Sequence, residues 1–123
     1  NCAAIAAQRH GRQKVVTASI DDLHFAVPIR LGDIVVLKAQ VNYVHRTSME
    51  VGVRVERECP RTGERTHAAR AYLTFVALSD ENVPVSVPPV RCETPEDERR
   101  AANAVTRREF RLMRRKALAT ADP

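Results

Sequence analysis

Three groups of residues in this chain have types and spacing that could do chemistry. The tripeptide Arg46-Thr47-Ser48 sets a cation beside two hydroxyls, with neither Pro nor Gly to account for it as a bare turn. Hydroxyls and backbone donors gathered at a strand junction can grip a phosphate or an amide. The same tripeptide would also serve as a polar hairpin tip with no ligand. A second group lies toward the end, where Arg99, Arg100, Arg107, Arg108, Arg111, Arg114, Arg115 and Lys116 crowd together. Such a cluster suits a phosphate-bearing ligand or nucleic acid, or a solvated helix face laced with Glu–Arg pairs. The third group holds the nucleophiles and ligands. Cys2, Cys59 and Cys92 sit in no recognisable local signature that would pair a thiolate with a base. His10, His24, His45 and His67 lack metal-ligand spacing. No Gly-rich phosphate loop occurs, which argues against nucleotide hydrolysis. Asp21-Asp22 could bring an acid to a site or end a strand in solvent.

The elements that must position these residues follow from hydrophobic period. Val35, Leu37, Ala39, Val41 and Tyr43 alternate with polar neighbours before the tripeptide, and Met49, Val51, Val53 and Val55 alternate after it. Period-2 alternation predicts two half-buried strands, Ile34–His45 and Ser48–Glu58, paired antiparallel. A strand over Lys14–Phe25 precedes them, ended by Pro28, and Leu31-Gly32-Asp33 turns into the next. Pro60-Arg61-Thr62-Gly63 is a turn signal ahead of a fourth strand, Glu64–Leu78. The near-continuous apolar run Ala71–Ala77 predicts burial on both of its faces. Four strands joined by short turns predict an antiparallel meander. Before them, the Ala-rich run of Asn1–Arg12 reads as a buried helix stopped at Gly11. After them, the prolines of Ser79–Arg91 mark a linker or edge segment. Thr94-Pro95-Glu96-Asp97 then opens a basic helix reaching about Leu118.

Composition bounds the rest. At 123 residues the chain is one domain. With three Phe, two Tyr and no Trp, its core must be built from Val, Leu, Ile and Ala. A net charge of +5 points to an anionic partner. An odd number of widely spaced cysteines suits a reducing compartment rather than a disulfide framework. No apolar run approaches the length of a membrane span.

The residues Val15-Val16-Thr17-Ala18-Ser19-Ile20-Asp21-Asp22, Gly32-Asp33, Arg46-Thr47-Ser48-Met49-Glu50-Val51 and Thr74-Phe75-Val76-Ala77, in that order, resemble the hotdog-fold acyl-CoA thioesterases. The similarity is to the cytosolic acyl-CoA hydrolase branch whose members often carry two hotdog domains in tandem. It spans Asn1 to Leu78 and continues into Arg107-Arg108-Glu109-Phe110-Arg111-Leu112. The resemblance implies an α+β fold in which an antiparallel sheet wraps one central helix, with a basic C-terminal helix appended. It divides the chain into a partial hotdog domain, residues 1–90, and an Arg-rich helical extension, residues 91–123. It implies fatty acyl-CoA hydrolysis to acid and CoA, with no cofactor and no metal. CoA would be contacted by Ala18, Ser19, Ile20, Thr47, Ser48, Met49 and Arg108, although the family's own Lys aligns more closely with Glu109 than with Arg108.

The family's helix carboxylate, usually Asp, would fall one position before Asn1. The expectation is therefore that the first strand and first half of the helix lie upstream, leaving the catalytic residue unnamed; the alternative is that Asn1 replaces the Asp in a shifted register. The implied partners are acyl-CoA and a second hotdog unit, in tandem or as a homo-oligomer, in the cytoplasm, with organellar targeting upstream left open. Two rivals stand beside this. One is a non-catalytic hotdog that binds acyl-CoA as half of a tandem pair. The other is a basic nucleic-acid-binding module, which would lack aromatic stacking residues on its strands.

Overall fold

The computed structural model describes residues 2–121, with the side chains of Asp22, Thr120 and Ala121 outside the description. The alternatives placed on Asn1 and on the Asp22 carboxylate therefore fall outside the described residues. The chain forms helix α1 (Cys2–Gly11), strands β1 (Lys14–Phe25), β2 (Ile34–His45), β3 (Ser48–Glu58) and β4 (Arg65–Leu78), and helix α2 (Pro95–Ala121). The strand limits follow the period-2 pattern closely because one sheet face is apolar and a one-residue slip would turn it outward.

The four strands make one antiparallel sheet in the order β1-β4-β3-β2. A simple meander is thus corrected: β2, β3 and β4 are consecutive neighbours, but β1 crosses to the far side of β4. The physical reason lies in β4, whose second half has Phe75 and Ala77 buried and therefore belongs inside the sheet rather than at its edge. Burial of the Ala71–Ala77 run on both faces is only partial, because Leu73, Tyr72 and Val76 remain half-exposed.

Helix α1 packs against all four strands on one face, here called the inner face. Ala3 and Ala7, one turn apart, are buried there, where small side chains let the helix backbone approach the sheet. Beneath it lie Met49, Val51, Phe75 and Ala77, with Val87 closing the end. Full burial of Phe75, Met49 and Val51 contributes about 1.5–3 kcal/mol each. The helix stop differs from expectation by one residue. Gly11 is still helical, and Arg12 takes the left-handed conformation, φ 55°, its N–H donating to the Gln8 carbonyl at 2.7 Å.

Residues 79–91 act as an edge segment. Pro84 bridges to Leu78, and the Val85 and Val87 N–H groups donate to the Ala77 and Arg46 carbonyls. Helix α2 begins at a reciprocal cap: the Asp97 N–H donates to Thr94 Oγ1 (3.0 Å), and Asp97 Oδ2 accepts from the N–H groups of Glu93 and Thr94. The Glu93 N–H is foremost in holding the Asp97 carboxyl below its ordinary range. The helix then runs across the outer face of the sheet, burying Ala104.

Candidate functional site

Strand alternation sends every second residue of β3 to the outer face, under α2. Cross-strand pairing arranges the outer side chains in rows. One row runs Val16–Val76–Ser48–His45 and the next runs Ser19–Thr74–Glu50–Tyr43. Over these two rows α2 lays Ala104, Arg108 and Arg111, so that Tyr43, His45, Ser48, Glu50 and Thr74 line a cleft with them. The open space inside is only about 10 Å³, room for roughly one water, so a larger ligand must lie at the mouth of the cleft.

Arg46 and Thr47 form the two-residue turn between β2 and β3, with His45 paired to Ser48. Arg46 holds φ at 54°, a conformation costly for a residue with a Cβ. The turn is held because the Val87 N–H donates to the Arg46 carbonyl at 2.8 Å and the Ala77 N–H to the Thr47 carbonyl at 2.9 Å. Ser48 Oγ donates to the His45 carbonyl at 3.1 Å. Its proton is thereby committed, and toward a ligand it can only accept, for instance from an amide N–H. Thr47 makes no side-chain hydrogen bond among the described residues, so its hydroxyl is available to donate.

Electrostatics in the cleft are set by Arg108, Arg46 and Arg111. His45 has its pKa lowered below 6.5 by burial, then by the charges of Arg108 and Arg46. Arg111 Nη1 donates to Asp21 Oδ2 at 2.9 Å, so Asp21 anchors α2 rather than serving as a spare acid. Ser19 Oγ and Thr74 Oγ1, side by side on paired strands, are buried with no hydrogen-bond partner among the described residues.

A buried ion pair closes the cleft toward the middle of the sheet. Arg107 donates to both oxygens of Glu50, at 2.9 and 2.7 Å, and its guanidinium lies 3.6 Å from the Tyr72 ring centroid. Asn42, the extra residue of a bulge in β2, donates to Glu50 Oε1 at 3.1 Å. Gly52 makes room for it, since a Cβ there would lie 2.7 Å from Asn42 Nδ2.

The expected contact residues are divided by this geometry. Ser48, Ser19 and Arg108 come together on the outer face, with Thr47 at the rim. Ala18 is the unpaired residue of a bulge in β1. Ile20 pairs with Leu73 on the inner face and is 62% exposed. The Met49 side chain is buried in the inner core near Gly11, which leaves its backbone as the part a ligand could meet. Sequence reasoning missed His45, Thr74 and Arg111 as cleft residues. The period of β2 and β4 already put His45 and Thr74 on the polar side, whereas nothing local announced which turn of α2 would cover them.

A model of the family described as "Thioesterase superfamily" matches residues 1–64. An uncharacterized acyl-CoA thioester hydrolase of Bacillus subtilis is 48% identical over 95 residues, covering 77% of this chain and 55% of that protein. The chain thus spans about half the length of that curated relative. The crystal structure of an apo-hexameric acyl-CoA thioesterase superposes with a TM-score of 0.86 at 41% identity, over 91% of this chain and 72% of the other. An acyl-CoA hydrolase from Staphylococcus aureus, solved in complex with butyryl coenzyme A, coenzyme A and coenzyme A disulfide, gives a TM-score of 0.87 at 39% identity. That match covers 97% of this chain and 73% of the other.

Proposed function

The chain belongs to the thioesterase superfamily, and from that premise we propose that it binds fatty acyl-CoA and hydrolyses it to the free acid and CoA. The observation that carries this is the meeting of Ser48 and Arg108 in one polar cleft, with Thr47 next to Ser48 in the turn and Ser19 paired beside the cleft residue Thr74. The hydroxyl of Thr47 donates to a phosphate or carbonyl oxygen, and Ser48 accepts from a pantetheine amide. The backbones of Ala18, Ile20 and Met49 continue that contact along β1 and β3, and Arg108 answers the phosphate charge. In the reaction, water adds to the thioester carbonyl, the C–S bond breaks, and the CoA sulfur leaves and takes up a proton. A carboxylate on the central helix would accept the proton of water, and a helix-terminal N–H would stabilise the oxyanion.

Residues 1–90 would form the hotdog unit and residues 91–123 its basic extension. The inner face with α1 and the outer cleft lie on opposite sides of the sheet, so one unit does not gather the whole site. A second hotdog unit, in tandem or as another copy, supplies the rest. A cytoplasmic setting belongs to this reading through the resemblance to the cytosolic branch; separately, no described helix is long and apolar enough to cross a membrane.

A second reading is that of a unit that binds acyl-CoA without turnover, as half of a tandem pair. Incubating the protein with acyl-CoA thioesters of graded chain length, and following free CoA thiol, separates the two. Thiol release is expected where the central helix supplies the carboxylate. Tight CoA binding without release would establish the binding-only role, and absence of both would overturn the proposal.

A further inference from the structure

Helix α2 changes character along its length. Its first turn carries Glu96, Asp97 and Glu98, and Arg100 is held by Glu96 and Asp97. Its middle is seated on the sheet by the buried Ala104 and by the Arg107–Glu50 and Arg111–Asp21 pairs. Beyond Arg111 the seat ends, and every residue from Leu112 to Ala119 is exposed. From Phe110 to Ala121 the sequence holds Arg111, Arg114, Arg115 and Lys116 and no acid.

Helical spacing sorts this segment into faces. Phe110, Met113 and Ala117 follow at i, i+3 and i+7 and make one stripe. Phe110 and Met113 are each 65% exposed. Ala104, Arg107, Arg108 and Arg111 face the sheet from the other side of the helix, so the stripe is turned to solvent. Arg114 flanks it on one side and Lys116 on the other, and Leu118 extends the exposed apolar surface past Arg114. No Asp or Glu stands three or four residues from Arg114 or Arg115, and neither has an acidic partner among the described residues. Bare apolar side chains and unanswered cations on one projecting segment ask for a partner that is apolar and anionic at once.

We propose that the C-terminal half of α2 docks on an anionic lipid surface. The helix lies along the bilayer, with Phe110, Met113 and Ala117 at the boundary between headgroups and acyl chains. Arg114, Arg115 and Lys116 meet the lipid phosphates, their long stems reaching out from the apolar side. Charge complementarity decides among occupants. The same stripe on a second copy would set Arg114 and Lys116 against their own kind. Nucleic acid would answer the cations but leave Phe110 and Met113 in water. The contact does not depend on the acyl-CoA reading above; joined to it, the contact holds the enzyme where an amphiphilic acyl-CoA collects.

The test is cosedimentation, without acyl-CoA, with vesicles of equal parts phosphatidylglycerol and phosphatidylcholine and with vesicles of phosphatidylcholine alone. Wild type is compared with Phe110→Ser/Met113→Ser and with Arg114→Glu/Arg115→Glu. The control is Arg30→Glu/Arg61→Glu, the same change of charge at exposed positions near the end of the sheet where β2 begins and β3 ends. Each cation near an anionic surface strengthens binding roughly fivefold. Wild type should therefore favour the anionic vesicles by about tenfold or more, both test variants should lose about tenfold or more, and the control should stay within about threefold. The chain has no Trp, so Phe110→Trp supplies a single reporter whose emission should shift to the blue on anionic vesicles. Affinity unchanged in both test variants with native circular dichroism, an equal loss in the control, or an unshifted emission would overturn the proposal. So would a test variant that sediments as a smaller species while its vesicle binding is unchanged, which would give the stripe to a second copy.

Discussion

Glu50 and Arg107 stand 57 residues apart in the chain and meet in a two-pronged ion pair at 2.7 and 2.9 Å, with Glu50 only 6% exposed. The pair fastens α2 to the sheet and walls off the small cleft. A buried pair costs desolvation that its own attraction roughly offsets, but removing one member strands the other. Glu50→Ala is expected to destabilise the protein by about 3–5 kcal/mol in urea titration. The double change Glu50→Met with Arg107→Met should cost much less. Equal losses for single and double variants would show that the pair is not what holds the helix.

The cleft mouth is tested at Ser48. Its replacement by Glu puts bulk and negative charge where CoA phosphates and pantetheine are to lie. The lost hydrogen bond from a pantetheine amide is worth about 0.5–1.5 kcal/mol, and repulsion of the phosphates adds to it, so CoA affinity should fall roughly tenfold or more by calorimetry. Thr62→Glu, in the turn at the opposite end of β3 where Thr62 Oγ1 accepts the Glu64 N–H, should leave affinity alone. Equal affinities for wild type and Ser48→Glu would return the joint to an ordinary hairpin tip.

His45 reports on the same place through its proton. Burial, then Arg108 and Arg46, holds its folded pKa below 6.5. As pH falls through about 6.5 the unfolded chain takes up the proton first, so this residue's contribution is intact above that pH and is lost as pH drops toward the folded pKa. An NMR titration of the imidazole should place its pKa below 6.5 in the free protein. Saturating CoA should raise it, because phosphates screen the two arginines. An unchanged titration curve would show that the phosphates bind elsewhere.

Assembly is expected through the sheet. Strand β1 is an edge, and along it Val16, Ile20, Leu23 and Phe25 are exposed, Phe25 to 69%. A long apolar edge is a pairing surface. Sedimentation should show at least a dimer, and Phe25→Lys should shift it toward monomer and lower turnover. A monodisperse, fully active monomer with one hotdog unit would contradict this.

The strands and the helix cap were legible because their signals are local: alternation marks a strand, and Thr94 with Asp97 marks a helix start. The alternation even contained the division of Ser48 and Met49 between faces, since Met49 is in phase with Val51 and Val53. What escaped was long-range. Nothing near Lys14–Phe25 states that its partner is β4, and nothing near Arg107 names Glu50. Equally hidden was the basic row His24–Arg70–Arg54–Lys38, whose members lie on four separate strands and adjoin only once the register is set. Sequence resemblance supplied the fold class, while the placement of α2 over the outer face came from packing alone.

The crossing of β1 to the far side of β4 also sets a timetable for synthesis. Lys14 pairs with Leu78 and Phe25 with Ala69, so β1, made well before β4, waits longest for its neighbour among the described strands. The β2–β3 and β3–β4 hairpins close over short loops and can form as they emerge, whereas β1 must wait for nearly the whole of β4. For that interval Val16, Ile20, Leu23 and Phe25 travel uncovered on a nascent chain. The growing polypeptide is thus most open to chaperones, or to misassembly with its own kind, between the appearance of Lys14 and that of Leu78.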